Sequence, residues 1–104
     1  MFDIFSKITE AKKRIEEIKA KLDQIILSAS DDQALITVTV SGAKDIKKIA
    51  LSDSFMALSK EQMETLILKT SKEALLKAEI LAKEEMKKAT EGILPNIPGL
   101  NLFG

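Results

Sequence analysis

The chain has no cysteine, histidine, tryptophan or tyrosine, and Arg14 is its one arginine. Without cysteine there is no disulfide, no thiolate nucleophile and no thiolate metal site, and a reducing compartment is compatible with the composition. Without histidine the usual proton carrier near neutral pH is missing, as are the commonest nitrogen ligand for zinc and the base of a catalytic triad. Only two prolines and four glycines occur, which excludes a collagen-like or loop-rich chain. No apolar run approaches the length of a membrane span, and the first residues lack the basic-then-apolar order of a secretory signal. Sixteen basic and sixteen acidic side chains give zero formal charge, so a uniformly cationic surface is excluded while a local basic strip is not. No catalytic residue, metal ligand set or cofactor motif emerges, and the expectation is a cytoplasmic protein that is not an enzyme and needs no cofactor.

What is present is strong periodicity over 104 residues, the size of a single domain. Ile4, Ile8, Ala11, Ile15, Ile18, Leu22 and Ile25 alternate steps of four and three, a heptad seam that predicts a helix over about 3–27. The period then changes. Ile36, Val38 and Val40 alternate with Thr37 and Thr39, as in a strand with one buried face. Ser41 to Asp45 reads as a turn, and Ile46 to Leu51 as a second strand. Ile26 to Ser30 reads as a short edge strand, giving an antiparallel sheet of two to three strands over about 28–52. Ser59 with Gln62 forms a capping-box pattern that opens a long helix over about 59–91, and Met63, Leu66, Ile67, Ala74, Ala78, Leu81 and Ala82 share its broad apolar face. An apolar tail broken by Pro95 and Pro98 occupies 92–104. The fold class is α+β.

Helices of about 37 and 50 Å outrun a compact domain of this size, whose radius of gyration is about 13 Å. Apolar faces left beyond the sheet predict a symmetric dimer.

Charge on the first helix is two-sided. In the heptad frame Lys7, Arg14 and Lys21 flank the seam on one side and Lys12 and Lys19 on the other, while Glu10, Glu16, Glu17 and Asp23 take the far face. Like charges beside the seam oppose a parallel coiled coil of this helix with its own copy. Two readings are open: a basic strip laid on an anionic polymer such as DNA, or a helical protein–protein interaction module whose partner is acidic. Aliphatic lysine stems covering the seam edges, with Glu10–Arg14 and Glu17–Lys21 pairing along the helix, are the plainest account of the pattern. A second stripe, Lys69, Lys72, Lys83 and Lys87, runs along the long helix.

The order of these features resembles the YbaB/EbfC family of bacterial nucleoid-associated proteins. The resemblance rests on the heptad-like first helix, the strand ending Val40-Ser41-Gly42, the strand Ile46-Lys47-Lys48-Ile49-Ala50-Leu51, the long alanine-containing helix and Leu94-Pro95-Asn96-Ile97-Pro98-Gly99. It implies a single domain over 1–104 and a tweezer-shaped homodimer. It also implies binding to DNA with little sequence preference, a place in the nucleoid with effects on its organisation and on gene expression, and recombination or repair proteins as further partners. No membrane role is implied. The family carries over no DNA-contact motif residue by residue, so Lys7, Lys12, Arg14, Lys19 and Lys21 are the DNA-binding candidates on the helix frame alone.

Overall fold

The computed structural model describes residues 3–91, so the apolar tail at 92–104 lies outside the described residues. The elements run α1 (Asp3–Asp23), β1 (Ile26–Ser30), β2 (Ile36–Ser41), β3 (Ile46–Leu51), a 3-10 turn at Asp53–Ala57, and α2 (Lys60–Thr90). The sheet is an antiparallel meander in the order β1-β2-β3.

Period-two patterning places Ile36, Val38 and Val40 of β2 on one face, and all three are fully buried. The N-terminal half of α2 covers them. Ala74 and Ala78 face the sheet with no exposed surface, and their small side chains let the helix axis come close to it. Phe55, from the 3-10 turn, fills the same core. The helix begins where the capping box places it: Gln62 N donates to Ser59 Oγ at 3.1 Å, and Ser59 N donates to Gln62 Oε1 at 2.9 Å. These bonds satisfy amide groups that a helix start leaves without partners.

The first helix stops four residues earlier than its heptad pattern predicts, at Asp23 rather than 27. Ile25 continues the apolar spacing, but its carbonyl accepts from Gly42 N at 2.8 Å and Ile26 already pairs with Ser41. Pairing across the sheet has overridden local periodicity, and Ile26–Ser30 is a full strand. Gly42 makes this junction possible. A Cβ there would sit 2.8 Å from Leu22 O and 3.2 Å from Leu22 Cδ2. The turn's left-handed residue is Lys44, with φ 67°, so the glycine serves close approach rather than turn geometry.

Both helices leave the sheet in the same direction. The last turn of α1 is held at the sheet by Gly42, whereas α2 starts over the sheet and runs off it, so they pack antiparallel. Ile15 and Leu22 of α1 meet Met86 of α2, with Ile18, Ile25, Leu81 and Ala82 around them. The result is a body (sheet plus the start of α2) and a two-helix arm. The long axis is 66 Å against 26 and 17 Å for the others, and the radius of gyration is 18.4 Å, as the helix lengths foretold.

Candidate nucleic-acid interface

The arm's geometry follows from α1. Ile15 and Leu22 are buried against α2 and Ala11 is buried on the same face of α1, which fixes the direction of the seam. Taking about 100° per residue, Lys12 and Lys19 stand about 60–80° to one side of it, and Lys7, Arg14 and Lys21 about 60–100° to the other. All five side chains are exposed, and Glu10, Glu16, Glu17 and Asp23 lie behind them. The structure therefore does not gather the candidates into one patch. It splits them into two rows, with α2 between.

Because both helices are right-handed and run antiparallel, the flank of α2 beside Lys12 and Lys19 is the one bearing Lys83 and Lys87, both exposed. One side of the arm thus presents four lysines from two helices. The opposite side carries Lys7, Arg14 and Lys21 with Lys88 of α2. Arg14 Nη2 is 3.2 Å from Glu10 Oε1, and Lys88 Nζ is 3.8 Å from Glu85 Oε1, so two of those four cations have acidic partners. On the Lys12 side Lys83 meets Glu79 at 3.2 Å, while Lys12, Lys19 and Lys87 form no ion pair among the described residues. Along α1 the step from Lys12 to Lys19 is about 10 Å.

Periodicity alone does not find Lys83 and Lys87 as neighbours of Lys12 and Lys19, because the pairing of flanks depends on helix direction. The stripe that joins them in sequence to Lys69 and Lys72 is divided in space. Lys69 lines a groove of about 600 Å³ beside the β1–β2 turn, at the far end of the body. Pairing along the helices is partly redistributed: Lys77 donates to Ser28 O at 2.8 Å, Lys88 takes Glu85, and among the described residues the expected Glu17–Lys21 pair is not formed. A third lysine cluster sits at the β2–β3 turn. There the Asp45 carboxylate, 3.0 Å from Lys47 Nζ, raises the lysine above its ordinary value by hydrogen bond and charge.

Nothing in the described residues forms a group of carboxylates able to hold a metal, and no helix among them is long and apolar enough to cross a membrane. What remains is an elongated arm whose chemistry is exposed ammonium groups flanking an apolar seam.

The model of the YbaB/EbfC DNA-binding family matches residues 1–93. The chain belongs to the YbaB/EbfC DNA-binding family. It is 28% identical over 104 residues to a nucleoid-associated protein of Flavobacterium johnsoniae, covering 99% of this chain and 97% of that one. A nucleoid-associated protein of Bordetella avium is 31% identical over 93 residues, 89% of this chain and 85% of the relative. The fold is similar to the crystal structure of an uncharacterized protein from Helicobacter pylori, with a TM-score of 0.70 at 16% identity over 78% of this chain and 86% of that one. That likeness is one of fold, the α+β arrangement of two helices and a three-stranded antiparallel sheet.

Proposed function

We propose that this YbaB/EbfC chain is a homodimeric, nucleoid-associated protein that binds DNA with little sequence preference through the flanks of its arm, contributing to nucleoid organisation and gene expression. Lys7, Lys12, Arg14, Lys19 and Lys21 contact phosphates, with Lys83 and Lys87 joining the Lys12–Lys19 row. The observation that carries this reading is the exposure of every one of these side chains along an arm free of the sheet. Low sequence preference follows from the side-chain chemistry. Lysine is a point charge for phosphate, bidentate guanine recognition favours arginine, and the single arginine is engaged by Glu10.

The test is fluorescence anisotropy of a labelled 30-base-pair duplex at several salt concentrations. About six phosphate contacts per dimer give a log–log slope near about −5, since each contributes about −0.9. Unrelated duplexes should bind alike. Reversing Lys12, Lys19 and Lys21 to glutamate should abolish binding while the dimer persists. Of the two rows, K12E/K19E should weaken binding more than K7E/K21E. Absence of binding at low salt overturns the DNA reading and leaves the arm as a docking surface for an acidic protein.

A further inference from the structure

The two helices of the arm do not end together. Met86 of α2 packs in one cluster with Ile15 of α1, so the last residue of α2, Thr90, falls level with Ala11, an equal number of residues back along the antiparallel partner. Burial changes at that level. Ala11 is 3% exposed, whereas every residue from Ile4 to Glu10 is exposed. About 10 Å of α1, from Ala11 to Ile4, therefore stands beyond the end of α2. The apolar seam does not stop with its cover. Ile4 and Ile8 continue the line of Ala11 and Ile15, and Phe5 lies beside them; Ile4, Ile8 and Phe5 are 63%, 42% and 73% exposed. A seam buried at Ala11, Ile15 and Leu22 thus runs open over the outermost turns of the helix. Helices in proteins are held chiefly by packing of their apolar face, and these turns receive none from α2.

We propose that residues 92–104 of the same chain dock on this open seam and close the arm at its tip. The occupant follows from where that segment starts, how far it reaches and what it carries. It begins one residue past the described end of the chain at Glu91, level with Ala11 and so beside the first uncovered turn of the seam. Fully extended it spans about 40 Å, several times the open length. It holds Ile93, Leu94, Ile97, Leu100, Leu102 and Phe103, and no charged residue. Neutrality suits the place, because Lys7 flanks the seam on one side and Lys12 on the other. An uncharged apolar segment covers the ground between them and leaves both ammonium groups in water, where an acidic one would compete for them. Pro95 and Pro98 bar a regular helical continuation of α2 past the tip. Docking there is independent of whether the lysine rows meet phosphate or an acidic protein. In either case it steadies the outermost turns of α1, which carry Lys7.

The chain has no cysteine, so an introduced pair reports a single contact. Under mild oxidation Ile8→Cys/Leu94→Cys should close a disulfide within one chain on the order of tenfold faster than Glu10→Cys/Leu94→Cys. Position 10 is within reach of the same tether but lies on the far face of α1, so attachment without docking gives equal rates. A second measurement leaves every described residue as it is. In the full chain, Ile97→Asp/Leu100→Asp should make the amides of Lys7 to Ala11 exchange on the order of tenfold faster, while those of β2 keep their protection. Equal disulfide rates, or exchange at Lys7 to Ala11 unmoved by the two aspartates, overturns the docking. A disulfide that joins two chains instead of closing within one overturns docking in the same chain and gives the tip to the segment of another copy.

Discussion

Body and arm are built from the same kinds of residue and are sealed to very different degrees. In the body, Ile36, Val38, Val40, Ala74 and Ala78 have no exposed surface, and a sheet, a helix and Phe55 close on them from several directions. In the arm two helices share a single seam. Among the described residues Ile15, Leu22 and Met86 form its buried cluster, and the first turns of α1 carry Ile4 and Phe5 at 63% and 73% exposure. Two antiparallel helices can bury only facing stripes, whereas a sheet with a helix on it encloses a volume. The cations that read as functional stand on the thinner part. Long charged side chains are most easily presented there, because only one narrow face of each helix is committed to packing. Stability and function are thus separated along α2: its first half holds the fold, and its second half with α1 holds the charges.

Breaking the body should therefore cost most. Phe55 is 2% exposed in the main core, and Phe55→Ala should remove about 3–5 kcal/mol by urea denaturation, the usual cost of a cavity left by a large aromatic side chain. Loss should be global, with α1 and the sheet melting together. A small effect would mean that the 3-10 turn is an accessory and that α2 on the sheet suffices.

The joint between the two regions comes next. Gly42→Ala puts a methyl group 2.8 Å from the carbonyl oxygen of Leu22, and backbone on both sides cannot swing aside as a flexible side chain would. About 1–3 kcal/mol is expected for such overpacking. Hydrogen exchange should show where it falls: amides of α1 should exchange faster while those of β2 keep their protection. Equal acceleration everywhere would show that arm and body are one cooperative unit.

Much of this division is legible in the sequence, and the exceptions have one cause. The four-three spacing of α1, the alternation in β2 and the Ser59–Gln62 capping box are local patterns, and each appears where its residues stand. The end of α1 is not local. Ile25 satisfies the heptad, and only the bond from Gly42 N and the ladder to β2 turn the chain into a strand. The site divides the same way. That Lys7, Lys12, Arg14, Lys19 and Lys21 flank a seam is readable from the period, but which lysines of α2 join which row depends on the antiparallel packing. The half-covered face of β3 is equally invisible in sequence, because Ile49 and Leu51 look like core residues until the reach of α2 is known.

The smallest effect sharpens the contrast by pH. Burial works to raise the carboxyl of Asp31, but the backbone N–H groups of Ile36, Gln33 and Leu35 outweigh it and hold the group below its ordinary value. Ile36 N lies 2.9 Å from Oδ1 and Gln33 N 3.1 Å from Oδ2, so the carboxylate ties the β1–β2 turn to the start of β2. A carboxyl lowered by folding stabilises the native state above its unfolded value, about 3.9, and that contribution fades as pH falls through the lower folded value. Asp31→Asn should therefore be less stable than wild type at neutral pH, and the two should converge in strong acid. Amide protection should record this in the β1–β2 turn and leave the arm unchanged, because the packing of Ile15, Leu22 and Met86 involves no titrating group. Convergence accompanied by loosening of α1 would show that the turn supports the arm through the sheet.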